Sequence, residues 1–178
     1  GGDSERFLSF LKSKNLTLTK ILLTHGHFDH TGGVESVRKA TGAEVFVHVD
    51  DAKMLQSAVD SLYMHIQLGE FAPVSEFIAV EEDSCITDGD CRITVIGTPG
   101  HSEGSVCYVC GNAMFTGDTL FCGSIGRTDF PGSNPLDMKN SLQKLYQMDK
   151  DFRIYPGHGE SSTLENEKRT NPYMRGFR

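Results

Sequence analysis

Apolar and polar positions change period several times along this chain, and each change predicts an element. In "SERFLSFLKSKN", Phe7, Leu8, Phe10 and Leu11 fall on one helical stripe, with Asp3 or Ser4 placed to cap it. "TKILLT" is an apolar run too short for a helix and reads as a strand. Helical spacing resumes in "GGVESVRKAT" through Val34, Val37 and Ala40, and Gly42 ends it. "AEVFVHV" alternates as a strand, and Asp50 stands where it can cap a helix through Met54, Leu55 and Ala58. Helix, strand, helix, strand over the first third is the signature of an α/β layered fold.

Hairpins dominate the middle of the chain. Residues 60–84 show no clear period and read as a variable loop. "CITDGDCRITVIGTPGH" predicts a hairpin with Asp88-Gly89 in its turn, and "SVCYVCGNAMFTGD" a second one turning at Gly111-Asn112. "NPLDMKNSLQKLYQM" is an amphipathic helix: Pro135 suits its first turn, and Leu142, Leu145 and Met148 line one face. "FRIYPGHG" reads as the last strand, running into a loop. No repeat, low-complexity tract or linker divides the 178 residues, so a single domain over 1–178 is expected, with enough chain for a real core.

Composition removes some functions. With 17 Lys and Arg against 24 Asp and Glu the net charge is −7, which disfavours nucleic acid as a partner. No apolar run approaches the ~20 residues of a membrane span, and no secretory leader opens the chain. The cytoplasm is the expected location. The five cysteines (Cys85, Cys91, Cys107, Cys110 and Cys122) are odd in number and unevenly spaced, unlike a disulfide framework. Cys107 and Cys110 form one CxxC pair without the second pair a four-thiolate zinc site needs, and they read as buried strand residues.

The candidate chemistry sits where apolar strands run into glycine-containing turns. "ILLTHGHFDH" supplies His25, His27, Asp29 and His30; "VIGTPGH" supplies His101; "MFTGD" supplies Asp118; "IYPGH" supplies His158. Imidazole and carboxylate are ligands that zinc, iron and manganese accept. Five histidines and two aspartates exceed the three protein ligands of one catalytic zinc, and a closed structural site with four ligands leaves most of them unexplained. They suffice for two divalent ions sharing one carboxylate, roughly 3.5–4 Å apart, with a hydroxide between them. Such a nucleophile needs no serine or cysteine. His48 and His65 lie outside these turns and read as structural histidines.

"HGHFDH", "TPGHS", "GDTLF" and "PGHG", in that order, resemble the signature of the metallo-β-lactamase superfamily. The resemblance implies an αββα sandwich with a dinuclear site at one edge of the two sheets. Carried over by position, His25, His27 and His101 hold one metal, Asp29, His30 and His158 the other, and Asp118 bridges them. Asp29 is also implied to orient the nucleophile. Asp118 stands where the commonest true lactamases carry Cys, which disfavours antibiotic hydrolysis. His27 stands where flavodiiron proteins usually carry Glu. "GDTLFCGSIGRTDFPG" and "YPGHGESSTLENEKRTNPYM" are similar to the glyoxalase II (hydroxyacylglutathione hydrolase) branch, in a short form without its C-terminal helical domain. The implied activity is metal-dependent hydrolysis of a small-molecule thioester, glutathione-derived, with zinc the first expectation and iron or manganese as alternatives. The alternatives are an iron-dependent persulfide dioxygenase, which shares much of the "GRTDF" region, and a truncated metal-binding protein without turnover. Within that stretch Arg127 and Asp129 read first as an ion pair or turn and second as substrate-positioning groups; Tyr155 reads as packing. The chain opens at "GGD", as if cut inside a turn that closes several N-terminal strands in relatives. Lacking those strands, one sheet is expected to present an edge that a second copy could cover as a homo-oligomer.

Overall fold

In the computed structural model, which describes residues 3–65 and 71–177, the chain divides into two units, Gly1–Val80 and Glu81–Arg178. The first holds α1 (Ser4–Ser13), β1 (Lys20–Leu22), the single turn α2 (Phe28–Thr31), α3 (Val34–Thr41), β2 (Glu44–His48), 3₁₀ turns at Val49–Leu55 and Tyr63–His65, and β3 (Ile78–Val80). Its sheet has the order β1-β2-β3, parallel throughout, with Ile21 opposite Val45 and Val47 opposite Ala79. Parallel neighbours need a crossover, and α3 supplies it between β1 and β2. The Asp3 carboxylate caps α1 by accepting the Arg6 N–H at 3.0 Å, and Gly42, at φ +74°, ends α3.

Four expectations for this unit change. The apolar stripe of α1 is only partly buried: Leu11 is in the core, while Phe7 and Phe10 are 40% and 50% exposed. β2 does not alternate, because Val45, Phe46 and Val47 are all buried. It is the middle strand of a parallel sheet, and such a strand is covered on both faces. The segment after it is a 3₁₀ helix ending at Leu55, and its cap is His48, whose Nδ1 accepts the Asp50 N–H at 3.3 Å, rather than Asp50. The helix stops short of Ala58, with the Gln56 N–H bonded back to the Lys53 carbonyl at 3.1 Å, and the Asp51 side chain turns inward to bond the backbone at Gly26. Finally, β3 emerges inside the stretch expected to be a loop; it is three residues long, too short to carry a period. Residues 66–70 of that stretch, and the side chain of His65, lie outside the described residues.

The core of the first unit gathers Leu23, Val34, Val45, Val47, Leu55 and Val74. Beside it Glu35 is buried but well supplied: the Arg38 Nε–H donates to its carboxylate at 2.9 Å and the Ser75 hydroxyl at 2.9 Å. Arg38 is the main reason its carboxyl falls to about 2, against the opposing effect of burial. Glu35 thereby ties α3 to the segment entering β3.

The second unit runs β4 (Cys85–Asp88), β5 (Cys91–Gly97), β6 (Val106–Cys110), β7 (Ala113–Gly117), β8 (Leu120–Phe121), β9 (Ser124–Ile125), α4 (Pro135–Tyr146), β10 (Arg153–Pro156), β11 (Ser162–Thr163) and α5 (Leu164–Thr170). A six-stranded sheet has the order β11-β10-β7-β6-β5-β4, and β8-β9 form a separate ribbon. All neighbours in the large sheet are antiparallel except β7 and β10, which run parallel with α4 in their connection. In the first hairpin Asp88 pairs with Cys91, so the turn is Gly89-Asp90, one position later than expected; Gly89 takes the positive φ there, at +57°. The second hairpin turns at Gly111-Asn112 as expected. Asn134 caps α4 through a 2.9 Å bond from the Leu136 N–H, and Met138, Leu142 and Leu145 pack with Cys107, Met114, Ile154 and Leu164. Cys107 is fully buried, which pushes its thiol up to about 12; Cys110 is half-buried.

β10 is not the last strand: β11 and α5 come after it. α5 has one apolar anchor, Leu164, and is held instead by the fully buried Glu167, whose carboxylate accepts the Gly123 N–H at 2.8 Å and the Asn171 amide at 3.0 Å. Burial pushes that carboxyl up, but hydrogen bonds from Ser162, Gly123, Asn171 and Asn166 outweigh it and hold the group below its usual range. Among the described residues no helix is long and apolar enough to cross a membrane.

Candidate metal centre

In the first unit the candidate ligands come directly after β1. Past the bond from the Leu23 N–H to the Phe46 carbonyl at 2.9 Å, the chain enters a stretch carrying His25 and His27. His27 then caps α2 with extended backbone, and the single helical turn carries Asp29 and His30. A bend at Thr24-His25 and the helical turn after His27 fold the two pairs toward one another. The ring centroids of His25 and His27 lie 4.8 Å apart, those of His25 and His30 4.1 Å, and the His30 Nε2 lies 3.6 Å from an Asp29 carboxylate oxygen. His25 and His27 are 1% and 3% exposed. The Nε2 atoms of His25, His27 and His30 are buried and make no hydrogen bond among the described residues.

In the second unit three loops converge. His101 sits between β5 and β6 on a loop seated against the start of α4: a Cβ at Gly100 would lie 2.4 Å from the Met138 backbone. Gly100 is at φ +141°, its carbonyl accepts the Asn134 N–H at 2.8 Å, and the Ser133 hydroxyl donates to the His101 carbonyl at 2.6 Å. The His101 Nδ1–H donates to the Arg127 carbonyl at 2.8 Å. A carbonyl can only accept, so this bond places the proton on Nδ1 and leaves Nε2 as the lone-pair donor. Asp118 comes after β7 and His158 after β10. Because those strands are parallel neighbours, their ends lie side by side, with Gly157 N–H bonded to the Gly117 carbonyl at 2.8 Å. A bulge between Tyr155 and Pro156 adjusts the register just before His158. One carboxylate oxygen of Asp118 lies 3.5 Å from His101 Nε2 and 3.6 Å from His158 Nε2. His158 is the exposed member, with its ring edge-on to Phe121 at 6.1 Å.

The structure therefore brings His25, His27, Asp29 and His30 together in the first unit and His101, Asp118 and His158 together in the second. The donors are imidazole nitrogens and carboxylate oxygens, the set that divalent zinc, iron or manganese takes, so the residues fit such ions. His48 is the structural cap already described. Arg127 forms a forked pair with Asp129, two bonds of 2.9 Å, and lies over the Phe130 ring at 4.2 Å, the first of the two roles expected for it. Tyr155 stacks on Phe115 at 5.3 Å, as packing.

Sequence reasoning passed over the residues that hold the loops. The Thr98 and Thr119 hydroxyls bond at 2.8 Å, both buried. Gly126 admits no side chain, since a Cβ there would lie 1.9 Å from the Asp118 carbonyl oxygen. Gly126 had a faint signal, a glycine just before Arg127; the threonines stand inside "TPGHS" and "GDTLF", but nothing in those motifs says that their hydroxyls bond to each other.

Comparison with known proteins bears on the same residues. The family model described as "Metallo-beta-lactamase superfamily" matches residues 1–158. The "Probable metallo-hydrolase YqgX" of Bacillus subtilis (strain 168) is 33% identical over 99% of this chain and 85% of its own. The "Hydroxyacylglutathione hydrolase GloC" of Haemophilus influenzae is 32% identical over 98% of this chain and 84% of its own. Among solved structures, the BLEG-1 B3 metallo-beta-lactamase superposes with a TM-score of 0.86 at 33% identity, covering 98% of this chain and 85% of that one. TTHA1623, solved in a di-iron-bound form, gives 0.85 at 33% identity, covering 97% and 86%. ETHE1 from Myxococcus xanthus gives 0.79 at 29% identity, covering 98% and 70%.

Proposed function

The chain belongs to the metallo-beta-lactamase superfamily and has its α/β fold, and from that premise we propose that it hydrolyses small-molecule thioesters, glutathione-derived ones first, at a site for two divalent metal ions. The observation that carries this reading is the pair of imidazole and carboxylate clusters, one past the end of β1 and one past the ends of β5, β7 and β10. We assign His25, His27 and His101 to one ion, Asp29, His30 and His158 to the second, and Asp118 to both. The resemblance of GloC, named a hydroxyacylglutathione hydrolase, supports the substrate class, and the di-iron form of TTHA1623 supports iron beside zinc as the metal.

A bound divalent ion would supply Lewis acidity, polarising a carbonyl and lowering the pKa of a water to about 7. The protein's part is orientation. The Arg127 carbonyl holds His101 in the tautomer that presents Nε2. Asp118 faces both His101 and His158 from a buried position and supplies negative charge where cations must gather. Asp29, half-buried beside His30, is the residue we assign to accept a hydrogen bond from the attacking water and orient it. Water adds across the thioester carbonyl and the thiol leaves, giving one carboxylic acid and one thiol per turnover.

Metal analysis of the purified protein paired with an S-lactoylglutathione assay tests the reading. The expected result is about two ions per chain and thioester hydrolysis that a chelator abolishes. Oxygen consumption with glutathione persulfide and one iron per chain would instead establish the dioxygenase. A metal-replete protein inert on every thioester would overturn the thioesterase reading and favour a metal-binding protein without turnover.

A further inference from the structure

We propose that Asp51 is a positioning residue for the His25-Gly26-His27 loop, a role that rests on the metal reading of that loop. Asp51 is fully buried in the first turn of the 3₁₀ helix Val49–Leu55, and its Oδ2 accepts the Gly26 N–H at 2.9 Å. Gly26 is the residue between two candidate ligands. Before the pair, Leu23 N–H is bonded to the Phe46 carbonyl at 2.9 Å; beyond it, Phe28 N–H is bonded to the Ser61 carbonyl at 3.0 Å. Between those two anchors, Asp51 holds the amide from which both imidazole-bearing residues diverge.

The same helix closes on Gly26 from the side. A Cβ there would lie 2.6 Å from the Met54 Cβ and 3.1 Å from the Asp51 carbonyl oxygen, so loop and helix meet with no room for a side chain. Burying a carboxylate is costly unless it is well bonded. An N–H bond to a charged oxygen is among the stronger ones available. Asp50, its neighbour, is exposed and donates its backbone N–H to the His48 cap, so the two adjacent aspartates serve different ends. Groups that orient ligands without touching the metal commonly set affinity by 10–100-fold.

Two measurements test this. In metal-free wild-type protein the Gly26 amide is expected to exchange slowly by NMR, and in Asp51→Ala about tenfold or more faster, with the β1 amides unchanged. In chelator competition with zinc, Asp51→Ala is expected to bind about 10–100-fold more weakly, while Asp51→Asn, which keeps an oxygen acceptor, recovers most of the loss. Wild-type zinc affinity in a folded Asp51→Ala protein overturns the proposal. So does fast Gly26 exchange in the folded wild type, a result that needs no variant. If the wild type takes up no zinc, the metal reading fails, and the exchange comparison still decides whether Asp51 fixes the loop.

Discussion

The two sets of candidate ligands are built in opposite ways. In the first unit four candidate ligands lie between positions 25 and 30, and a strand end followed by one helical turn is enough to gather them. In the second unit three candidate ligands are spread from position 101 to 158, and they meet because β7 and β10 are parallel neighbours and because the loop after β5 is seated on α4. The first set is local chemistry with a long-range clamp at Asp51. The second is long-range architecture throughout. Damage to the large sheet or to α4 is therefore expected to reach metal binding through the second set, while the first set fails by loss of its own side chains or of the Asp51 clamp.

The largest expected effect comes from Asp118→Asn, which removes the negative charge that the second set places beside two imidazoles. Metal content should fall and thioester hydrolysis should drop by at least about 10³-fold. Full occupancy and rate, measured together, would refute the bridging assignment. Next is Gly126→Ala, where the new methyl group meets the Asp118 carbonyl oxygen. Destabilisation of about 2–4 kcal/mol by urea denaturation is expected, together with weaker metal binding. An equal metal affinity would show that Asp118 tolerates a displaced backbone and would weaken the contrast between the two sets.

The third test acts on the first unit's fold and spares its ligands. The Glu35 carboxyl is held at about 2 against an ordinary 4.5, so its stabilising contribution is present above about 4.5 and is lost as pH falls from there toward 2. Denaturation of wild type and Glu35→Gln at pH 7 and pH 3 should show the wild type losing its advantage at the lower pH. A pH-independent difference would remove the ion pair with Arg38 as the cause. The smallest expected effect is Arg127→Ala. The carbonyl that holds His101 belongs to the backbone and remains, and the guanidinium is exposed and engaged by Asp129. Activity and zinc affinity should change by less than about threefold. A large rise in KM with kcat unchanged would make Arg127 a substrate-positioning group.

The sequence alone determined whatever depends on near neighbours. The capped helices α1 and α4, the end of α3 at Gly42, the Gly111-Asn112 hairpin and the crowding of His25, His27, Asp29 and His30 are legible because residue types a few positions apart mark them, whereas His101, Asp118 and His158 stand out as candidates only when taken together with that cluster. Tertiary structure alone decided the rest. β2 lost its alternation because both its faces are covered, β3 and β11 exist only through the strands they pair with, and α5 is held by the buried Glu167 more than by its own apolar face. Asp51, Glu35 and Glu167 look like surface acids in the sequence and are buried ones in the fold. A carboxylate leaves water only when hydrogen-bond donors meet it; Glu35 finds its main one three residues away in Arg38, but the Asp51 donor lies 25 positions away and the Gly123 donor to Glu167 44.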